Sequence, residues 1–324
     1  MATDSQALNP PVAGGSRRRR DSISAWPLTD RIWYALCWAA GIGLCVVTAA
    51  IVLFMFVKGI SYLRPEQFLN SPTGSTEQAQ SGGFLDPIEG TLLLTALGTL
   101  IAAPLGVGIA AWLSEYHRPA WLARAVESGI EMIAGAPSVV LAIFGLLIFS
   151  EGFLGFLSQR SAGGAVYGRS FFAAGAMMGV LAVPLIVGST REGLAQLPAQ
   201  LREASYALGK TQATTIRRVL LPSVRPNIAS GIALGIGRII GDTAIVVILL
   251  GATLRIEGAG GPPILSTLRG TGSTLTTYVY QNSPAGEGNS AQKAYAAAFV
   301  LMMLVLLINF LVSRLNAEHR GSGA

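Results

Sequence analysis

Two charged side chains, Arg238 and Asp242, stand four residues apart inside an otherwise apolar stretch. If that stretch crosses a bilayer, each ionised side chain costs about 2.5–3.5 kcal/mol on insertion scales, so both need a purpose. The i, i+4 spacing places them on one face of a helix, where they can pair. A guanidinium offers several donors to an oxyanion and keeps its charge at any relevant pH. We therefore predict that Arg238 lines an anion pathway, with Asp242 holding it and limiting how tightly the anion binds. The alternative is a structural ion pair that locks two subunits together.

Residues that carry out catalysis or bind metals are otherwise sparse. The two histidines, His117 and His319, lie in hydrophilic segments, and no His, Cys or carboxylate spacing indicates a metal site. The segment Gly209-Lys210-Thr211 ends like a phosphate-binding loop, but Ala204 occupies the position where that loop needs another glycine. We therefore predict that the chain is not an enzyme, that it holds no cofactor, and that any ATP is hydrolysed by a separate chain.

The composition indicates a membrane protein with several spans. Of the 324 residues, 51% are hydrophobic and only 12% are charged, which is about half the charged fraction of an ordinary soluble domain. The mean hydropathy is +0.53. We predict an all-α integral membrane protein with six transmembrane helices, because six apolar stretches have a suitable length. They cover about residues 32–57, 88–113, 129–149, 171–187, 228–250 and 294–312.

The distribution of basic residues predicts the orientation in the membrane. With the N-terminus in the cytoplasm, fifteen of the 23 basic residues lie on the cytoplasmic side and seven outside, as the positive-inside rule favours. Both termini and the segment 191–227 are then cytoplasmic. The net charge of +6 therefore marks one side of a membrane, and we predict no nucleic-acid partner.

The cytoplasmic segment between the fourth and fifth spans has the pattern of two short helices. Pro198 suits the start of the first helix, and Gly209 allows the positive φ that a tight helix stop needs. The second helix is predicted to end at Pro222. The segment is polar enough to leave the membrane and apolar enough to dock on another protein. A solvated loop that merely connects two spans is the alternative.

This segment resembles the signature loop of ABC-transporter permeases of the importer type. The family pattern is Glu-Ala-Ala, three residues, Gly, nine residues and Ile-x-Leu-Pro, and this chain departs from it only by a serine for the second alanine and a valine for the isoleucine. In that family the loop forms coupling helices that sit in a groove of the ATP-binding subunit. The resemblance assigns this role to Glu203, Ala204, Ser205, Gly209, Leu221 and Pro222.

Further motifs between about residues 82 and 315 resemble the permease subunits of phosphate importers. Together they match the PstA-type subunit best, with the sister PstC type as the alternative. The family more often has Glu at position 242, where Asp242 conserves the charge. It also often has Arg-Thr-Thr-Glu where this chain has Gly188-Ser189-Thr190-Arg191, and this departure keeps the sister type open and weakens the transfer of a role to Arg191. The matching segments are Gly82-Gly83, Gly90-Thr91-Leu92-Leu93-Leu94-Thr95, Pro104-Leu105-Gly106-Val107-Gly108, Ser114-Glu115-Tyr116, Ala136-Pro137-Ser138-Val139-Val140, Phe144-Gly145-Leu146 and Gly237-Arg238-Ile239-Ile240-Gly241-Asp242-Thr243-Ala244.

The resemblance implies the type I permease fold of ABC importers and a place in the bacterial inner membrane. It implies four kinds of partner: an ATP-binding subunit dimer that holds ATP and Mg²⁺, a second permease subunit, an extracytoplasmic phosphate-binding protein, and phosphate as substrate. The expected regions are a polar cytoplasmic segment (1–31), a first transmembrane helix (32–57), an extracytoplasmic loop (58–87), a permease core (88–315) with its coupling loop (191–227), and a cytoplasmic tail (316–324).

Three alternatives remain open from the sequence. The nearest is an importer of the same class for another oxyanion or a small solute. A membrane-embedded enzyme would need acidic or histidine groups at one membrane depth, and the spans offer only Glu131, Arg238 and Asp242. A membrane scaffold without a transport pathway is the third.

Overall fold

The computed structural model describes residues 27–71, 83–151, 154–158, 168–251, 263–283 and 291–321, and the elements in these ranges are helical. Short 3₁₀ turns follow α1 and α4, and π-helical turns follow α2 (Trp112–Tyr116) and α7 (Ile216–Leu220). The α-helices are α1 (Leu28–Gly59), α2 (Leu85–Ala111), α3 (Ala120–Gly135), α4 (Ser138–Glu151), α5 (Phe171–Ala195), α6 (Ala199–Ala207), α7 (Gln212–Thr215), α8 (Leu221–Ser223), α9 (Arg225–Gly241), α10 (Thr243–Leu249), α11 (Pro263–Arg269), α12 (Leu275–Asn282) and α13 (Ala291–Gly321).

The chain divides into two compact units, Met1–Leu53 and Phe54–Ala324. The described part of the first unit is the apolar helix α1 up to Leu53, whose side chains are exposed on all sides. A helix that is apolar all round is typical of a membrane span. The second unit contains the core.

Helices α2, α5 and α9 form the centre of the second unit, with α4 and α10 completing the hydrophobic cluster. A Cβ on Gly179 of α5 would come within 3.0 Å of the Gly98 carbonyl oxygen of α2, so the two backbones approach closely. Helix α9 packs against α5, where Gly231 faces the backbone of Ile186, and against α2, where the Ile239 side chain lies beside Gly98. Such small-residue contacts replace the hydrophobic effect as the basis of helix packing in lipid. The three helices therefore form one tightly packed block.

Four helical segments are long and apolar enough to cross a membrane, and two bent pairs bring the number to six if each pair is one span. The continuous segments are Leu28–Gly59, Leu85–Tyr116, Phe171–Ala195 and Ala291–Val312, and the bent pairs are Ala120–Gly135 with Ser138–Ser150 and Gln212–Ser223 with Arg225–Gly241.

The third predicted span, over residues 129–149, is sharply bent in the structure. Helices α3 and α4 meet at 111° around Ala136 and Pro137. Ala136 has an extended conformation, with ψ of 137°, as steric clash with a following proline ring demands. By contrast, Pro104 and Pro184 lie inside the continuous helices α2 and α5, where neighbouring elements can satisfy the freed backbone groups.

The fifth predicted span, residues 228–250, is also interrupted. Helix α9 ends at Gly241, and Asp242 adopts an extended conformation before α10 begins. Arg238 and Asp242 therefore do not share one helix, which corrects the helical geometry expected from their spacing. A polar residue that caps the second half-helix is the local cause of the break.

Candidate functional site: the coupling segment and a broken span

The segment 196–224 forms the two short helices that its pattern predicts. Helix α6 follows Pro198 and ends in a Schellman motif, in which the Gly209 and Lys210 amides donate to the Tyr206 and Ser205 carbonyl oxygens at 2.9 and 3.2 Å. Gly209 has φ of +71°, a conformation that a side chain disfavours. The positive φ expected from this glycine is therefore present.

The second helix runs one residue past the predicted stop. It covers Gln212–Ser223 as one rod, with a π-helical turn over Ile216–Leu220 just before Pro222. A proline ring clashes with the carbonyl four residues earlier in a regular helix. The wider π turn at that place accommodates the ring, so the helix continues to Ser223.

The predicted coupling residues divide into an exposed and a packed set. Glu203, Ala204 and Gly209 are exposed, and Leu208 between them is 77% exposed although it is apolar. Ser205 is buried, and its hydroxyl pairs with that of Thr215 at 2.8 Å. The exposed residues form a surface with the apolar side chain of Leu208 at its centre. The buried pair of hydroxyls holds α6 against α7. The remaining two coupling residues, Leu221 and Pro222, are half-buried.

An ion pair between Arg202 and Glu115 fixes α6 to the C-terminal end of the α2 span. The Arg202 Nη2 and Nε atoms donate to Glu115 Oε1 at 2.8 and 3.1 Å. Arg202 Nη2 also donates to the Leu194 carbonyl oxygen at 3.1 Å, at the end of α5. The Gln212 side-chain amide donates through Nε2 to the Glu115 backbone carbonyl oxygen at 2.7 Å. The Glu115 hydrogen bonds raise the pKa of the Arg202 guanidinium above its usual range.

A second ion pair joins α5 to α3. Arg191 Nη2 lies 2.8 Å from Glu127 Oε1, and both side chains are about 40% exposed. Arg191 therefore makes a surface contact in the structure.

At the break between α9 and α10, Asp242 uses its two carboxylate oxygens differently. Oδ1 accepts the Ile245 amide at 3.1 Å and so caps α10, while Oδ2 lies 3.7 Å from Arg238 Nη2. The second distance is beyond hydrogen-bonding range. Asp242 is only 5% exposed, whereas Arg238 is 46% exposed. Within the described ranges the Arg238 guanidinium makes no hydrogen bond. Its N–H groups are therefore available to a ligand on the exposed side of this side chain.

Arg238 lies on a face of α9 that the described residues leave exposed. Ser230, Leu234 and Gly241 on the same face are exposed. No atom of the described residues lies within 4 Å of a Cβ built on Gly237 or Gly241. The opposite face, with Gly231, packs on α5. Gly237 and Gly241 therefore face away from the core, unlike Gly231 and Gly235.

The end of α9, just before the break, is supported by α12. The Thr276 hydroxyl donates to the Ile240 carbonyl oxygen at 3.0 Å, and Thr276 is buried. Because the break removes helical partners from the carbonyls at the end of α9, this bond satisfies one of them. Thr276 was not singled out from the sequence, since it lies 36 positions from Ile240 and no local pattern signals the contact.

The predicted site residues thus form two regions at opposite ends of α9. The coupling residues lie before its start and Arg238 near its end, about 20 Å further along the helix axis at 1.5 Å per residue. Glu115, the buried partner of Arg202, was missed because 87 positions separate the two residues. No group of three or more potential metal ligands occurs in the described part of the chain.

Sequence comparison finds relatives over most of the chain. It is 32% identical over 285 residues to a probable ABC transporter permease, YqgH, of Bacillus subtilis, covering 85% of this chain and 88% of that protein. It is 27% identical to the phosphate transport system permease protein PstC of Mesorhizobium japonicum, covering 93% and 96%. It is 32% identical to the phosphate transport system permease protein PstA 1 of Mycobacterium tuberculosis H37Rv, covering 74% and 71%. Both sister types are represented, so the match is to the pair rather than to PstA alone.

Solved structures share the fold. An alginate ABC transporter chain superposes with a TM-score of 0.61 at 18% identity, over 88% of this chain and 93% of that one. A chain of the methionine ABC transporter MetNI superposes with a TM-score of 0.55 at 21% identity, over 71% and 92%. The prediction of an ABC importer permease fold is therefore confirmed. The family profile matches residues 102–319, and the chain belongs to the family described as binding-protein-dependent transport system inner membrane component.

Proposed function

We propose that this chain is a permease subunit of an ATP-driven importer of inorganic phosphate. It crosses the bacterial inner membrane with both termini in the cytoplasm. It works with a second permease subunit, a dimer of ATP-binding subunits that holds ATP and Mg²⁺, and an extracytoplasmic phosphate-binding protein. Relatives named as phosphate permeases of both sister types support the substrate.

The observation that carries the proposal is the environment of the Arg238 side chain. Its guanidinium is half-exposed, makes no hydrogen bond within the described ranges, and lies 3.7 Å from a nearly buried carboxylate. A planar guanidinium with unused donors suits the oxygens of phosphate. The carboxylate of Asp242 offsets part of the positive charge, which keeps an anion from being held too tightly to leave.

The interrupted backbone beside Arg238 supports a pathway at this depth. Non-helical backbone within a membrane is tolerated where it is buried in protein or lines a water-filled cavity. Broken helices near the bilayer midplane are a common way in which transporters build substrate sites. The open face of α9 is then the side that meets the pathway and the second permease subunit.

The coupling segment receives the movement of the ATPase. Its exposed surface, with Leu208 at the centre, suits a groove on a partner protein. Closure of the ATPase dimer on ATP displaces this surface, and the displacement switches access to the pathway at Arg238 from outside to inside. The positive-inside rule supports this placement, since six basic residues lie in the segment 191–227.

The test is transport by the complete complex in proteoliposomes, with the binding protein and radiolabelled phosphate outside and unlabelled ATP inside. Labelled phosphate should stimulate ATP hydrolysis and accumulate in the lumen, where its label distinguishes it from the phosphate that ATP hydrolysis releases. Labelled sulfate or molybdate at the same concentration should do neither. Transport of sulfate or molybdate with phosphate ignored would replace the substrate and keep the importer class. ATP hydrolysis without accumulation of any of these anions would contradict the phosphate proposal.

A further inference from the structure

We propose that the ion pair of Glu115 and Arg202 is the link through which the coupling helix α6 moves the α2–α5–α9 block that carries Arg238. The inference rests on the proposed function and adds to it a specific pair of positioning residues. Neither residue touches the substrate or the ATPase surface in this account. Each acts by holding α6 to the ends of two spans.

The contact is built to resist separation. Arg202 donates to the Glu115 carboxylate through two nitrogens and to the Leu194 carbonyl oxygen through one of them. The Glu115 side chain is only 6% exposed. Pulling α6 away would leave a buried carboxylate without its partner, which is among the costliest losses a protein contact can suffer.

The neighbouring contacts extend this rigidity to α7. Gln212 donates to the Glu115 backbone carbonyl, and the Ser205 and Thr215 hydroxyls pair in a buried position. Both short helices are therefore tied to the same turn at the end of the α2 span. A load applied to the exposed residue Leu208 is carried to that turn by several bonds at once.

From that turn the displacement reaches Arg238 through close-packed helices. Helix α2 meets α5 at Gly98 and Gly179, and α5 meets α9 at Gly231. The Ser189 hydroxyl donates to the Asn227 carbonyl oxygen at 2.6 Å and further joins α5 to the start of α9. Close-packed interiors transmit strain, so the block moves with α6 as one body.

The competing arrangement is one in which α6 slides on α2 and the ion pair breaks during each cycle. The two arrangements differ in a measurable way. If α6 and α2 move together, a permanent chemical bridge between positions 115 and 202 preserves transport. If they separate, the same bridge stops it.

The experiment uses the complete complex with Cys37→Ser and Cys45→Ser, since these are the two cysteines of the chain. Into this parent we introduce Glu115→Cys and Arg202→Cys together, and we bridge them with a short, reducible bis-methanethiosulfonate reagent. The readout is the number of phosphate ions transported per ATP hydrolysed. Co-purification of the ATP-binding subunit reports on assembly.

Loss of the ion pair should lower phosphate per ATP about tenfold, within the range of usual coupling free energies. Bridging should restore the parent ratio of phosphate to ATP, and reduction of the bridge should lower that ratio again. A matched control pair, Glu127→Cys with Arg191→Cys, should transport like the parent with and without the bridge, because that ion pair is exposed and joins α3 to α5.

Two results would overturn the link: parent-like coupling in the unbridged Glu115/Arg202 variant, or transport that the bridge stops and reduction restores. Glu115→Gln gives a second route if the cysteine variant does not assemble, since it keeps an acceptor oxygen and should lower the ratio less than the double variant. Parent-like coupling in assembled Glu115→Gln complexes would also count against the link. Failure of the parent to import phosphate would contradict the proposed function instead.

Discussion

Arg202 and Arg238 each face a carboxylate, but the two contacts differ in length, burial and in what else the guanidinium touches. Arg202 makes bonds of 2.8 and 3.1 Å to Glu115 and is 26% exposed. Arg238 stays 3.7 Å from Asp242 and is 46% exposed. In the first pair, the arginine donates hydrogen bonds to other residues of the protein. In the second pair, the carboxylate caps a helix, and the arginine donates no hydrogen bond to the described residues.

The difference indicates two tasks for the same pair of residue types. A short, two-point contact with a buried carboxylate fixes two elements in one geometry. A long contact through one oxygen lowers the cost of a charge inside the membrane without satisfying its hydrogen bonds. The first contact holds elements of the protein together, and under the proposed function the second leaves its arginine to bind an anion.

The largest effect is expected at Arg238. Arg238→Gln keeps a polar side chain but removes the charge, and we expect phosphate uptake to fall about 100-fold or more, as for loss of one partner from a charged contact. Assembly with the ATP-binding subunit should be unchanged because Arg238 lies about 20 Å along α9 from the coupling residues. Retained uptake would return Arg238 to the role of a structural residue.

The two ion pairs Arg202–Glu115 and Arg191–Glu127 should differ clearly in their contribution to the free energy of unfolding. Arg202→Met leaves the Glu115 carboxylate buried without its partner, and we expect a loss of about 2–3 kcal/mol in the free energy of unfolding. Arg191→Met breaks an exposed pair of the same N–O distance and should cost under about 1 kcal/mol. Denaturant unfolding in detergent measures both. Equal losses would remove the distinction between the two pairs.

Gly209 tests whether the shape of the coupling segment matters apart from its ion pair. A β-branched residue in the left-handed region costs roughly 1–2 kcal/mol, so Gly209→Val should lower phosphate transported per ATP about tenfold. Gly209→Asn is the matched control, because asparagine tolerates this conformation. Among the described residues other than its chain neighbours, no atom lies within 4 Å of a Cβ at this position, so backbone strain rather than a clash distinguishes the variants. Normal coupling in the valine variant would contradict the prediction.

The smallest effect is expected at Asp242. Asp242→Asn keeps the oxygen that caps α10 but loses the charge that restrains Arg238. We expect phosphate to bind more tightly and leave more slowly, with KM and kcat both lower by about threefold, roughly 0.6 kcal/mol. Asp242→Ala loses the cap as well and should additionally destabilise the protein by about 1 kcal/mol. Unchanged kinetics in the asparagine variant would show that the pair does not tune anion binding.

Much of the fold could be predicted from sequence patterns because those patterns are local. Apolar length predicts spans, and Gly209 and Pro198 predict where α6 ends and begins. The interruptions could not be predicted in the same way. Pro104, Pro137 and Pro184 all lie in apolar stretches, yet only Pro137 marks a sharp bend. Which proline bends a membrane helix depends on the neighbours that can satisfy the freed backbone groups.

The candidate site divides in the same manner. Residue type and spacing along the chain suffice to predict that one arginine and one aspartate lie inside an apolar stretch and that a motif resembling a coupling loop precedes them. Three contacts could be found only in the folded protein: Asp242 caps a new helix, Thr276 supports the break, and Glu115 holds Arg202. Those contacts join positions up to 87 residues apart. They depend on how closely α2, α5 and α9 pack, which the order of residue types along the chain does not encode locally.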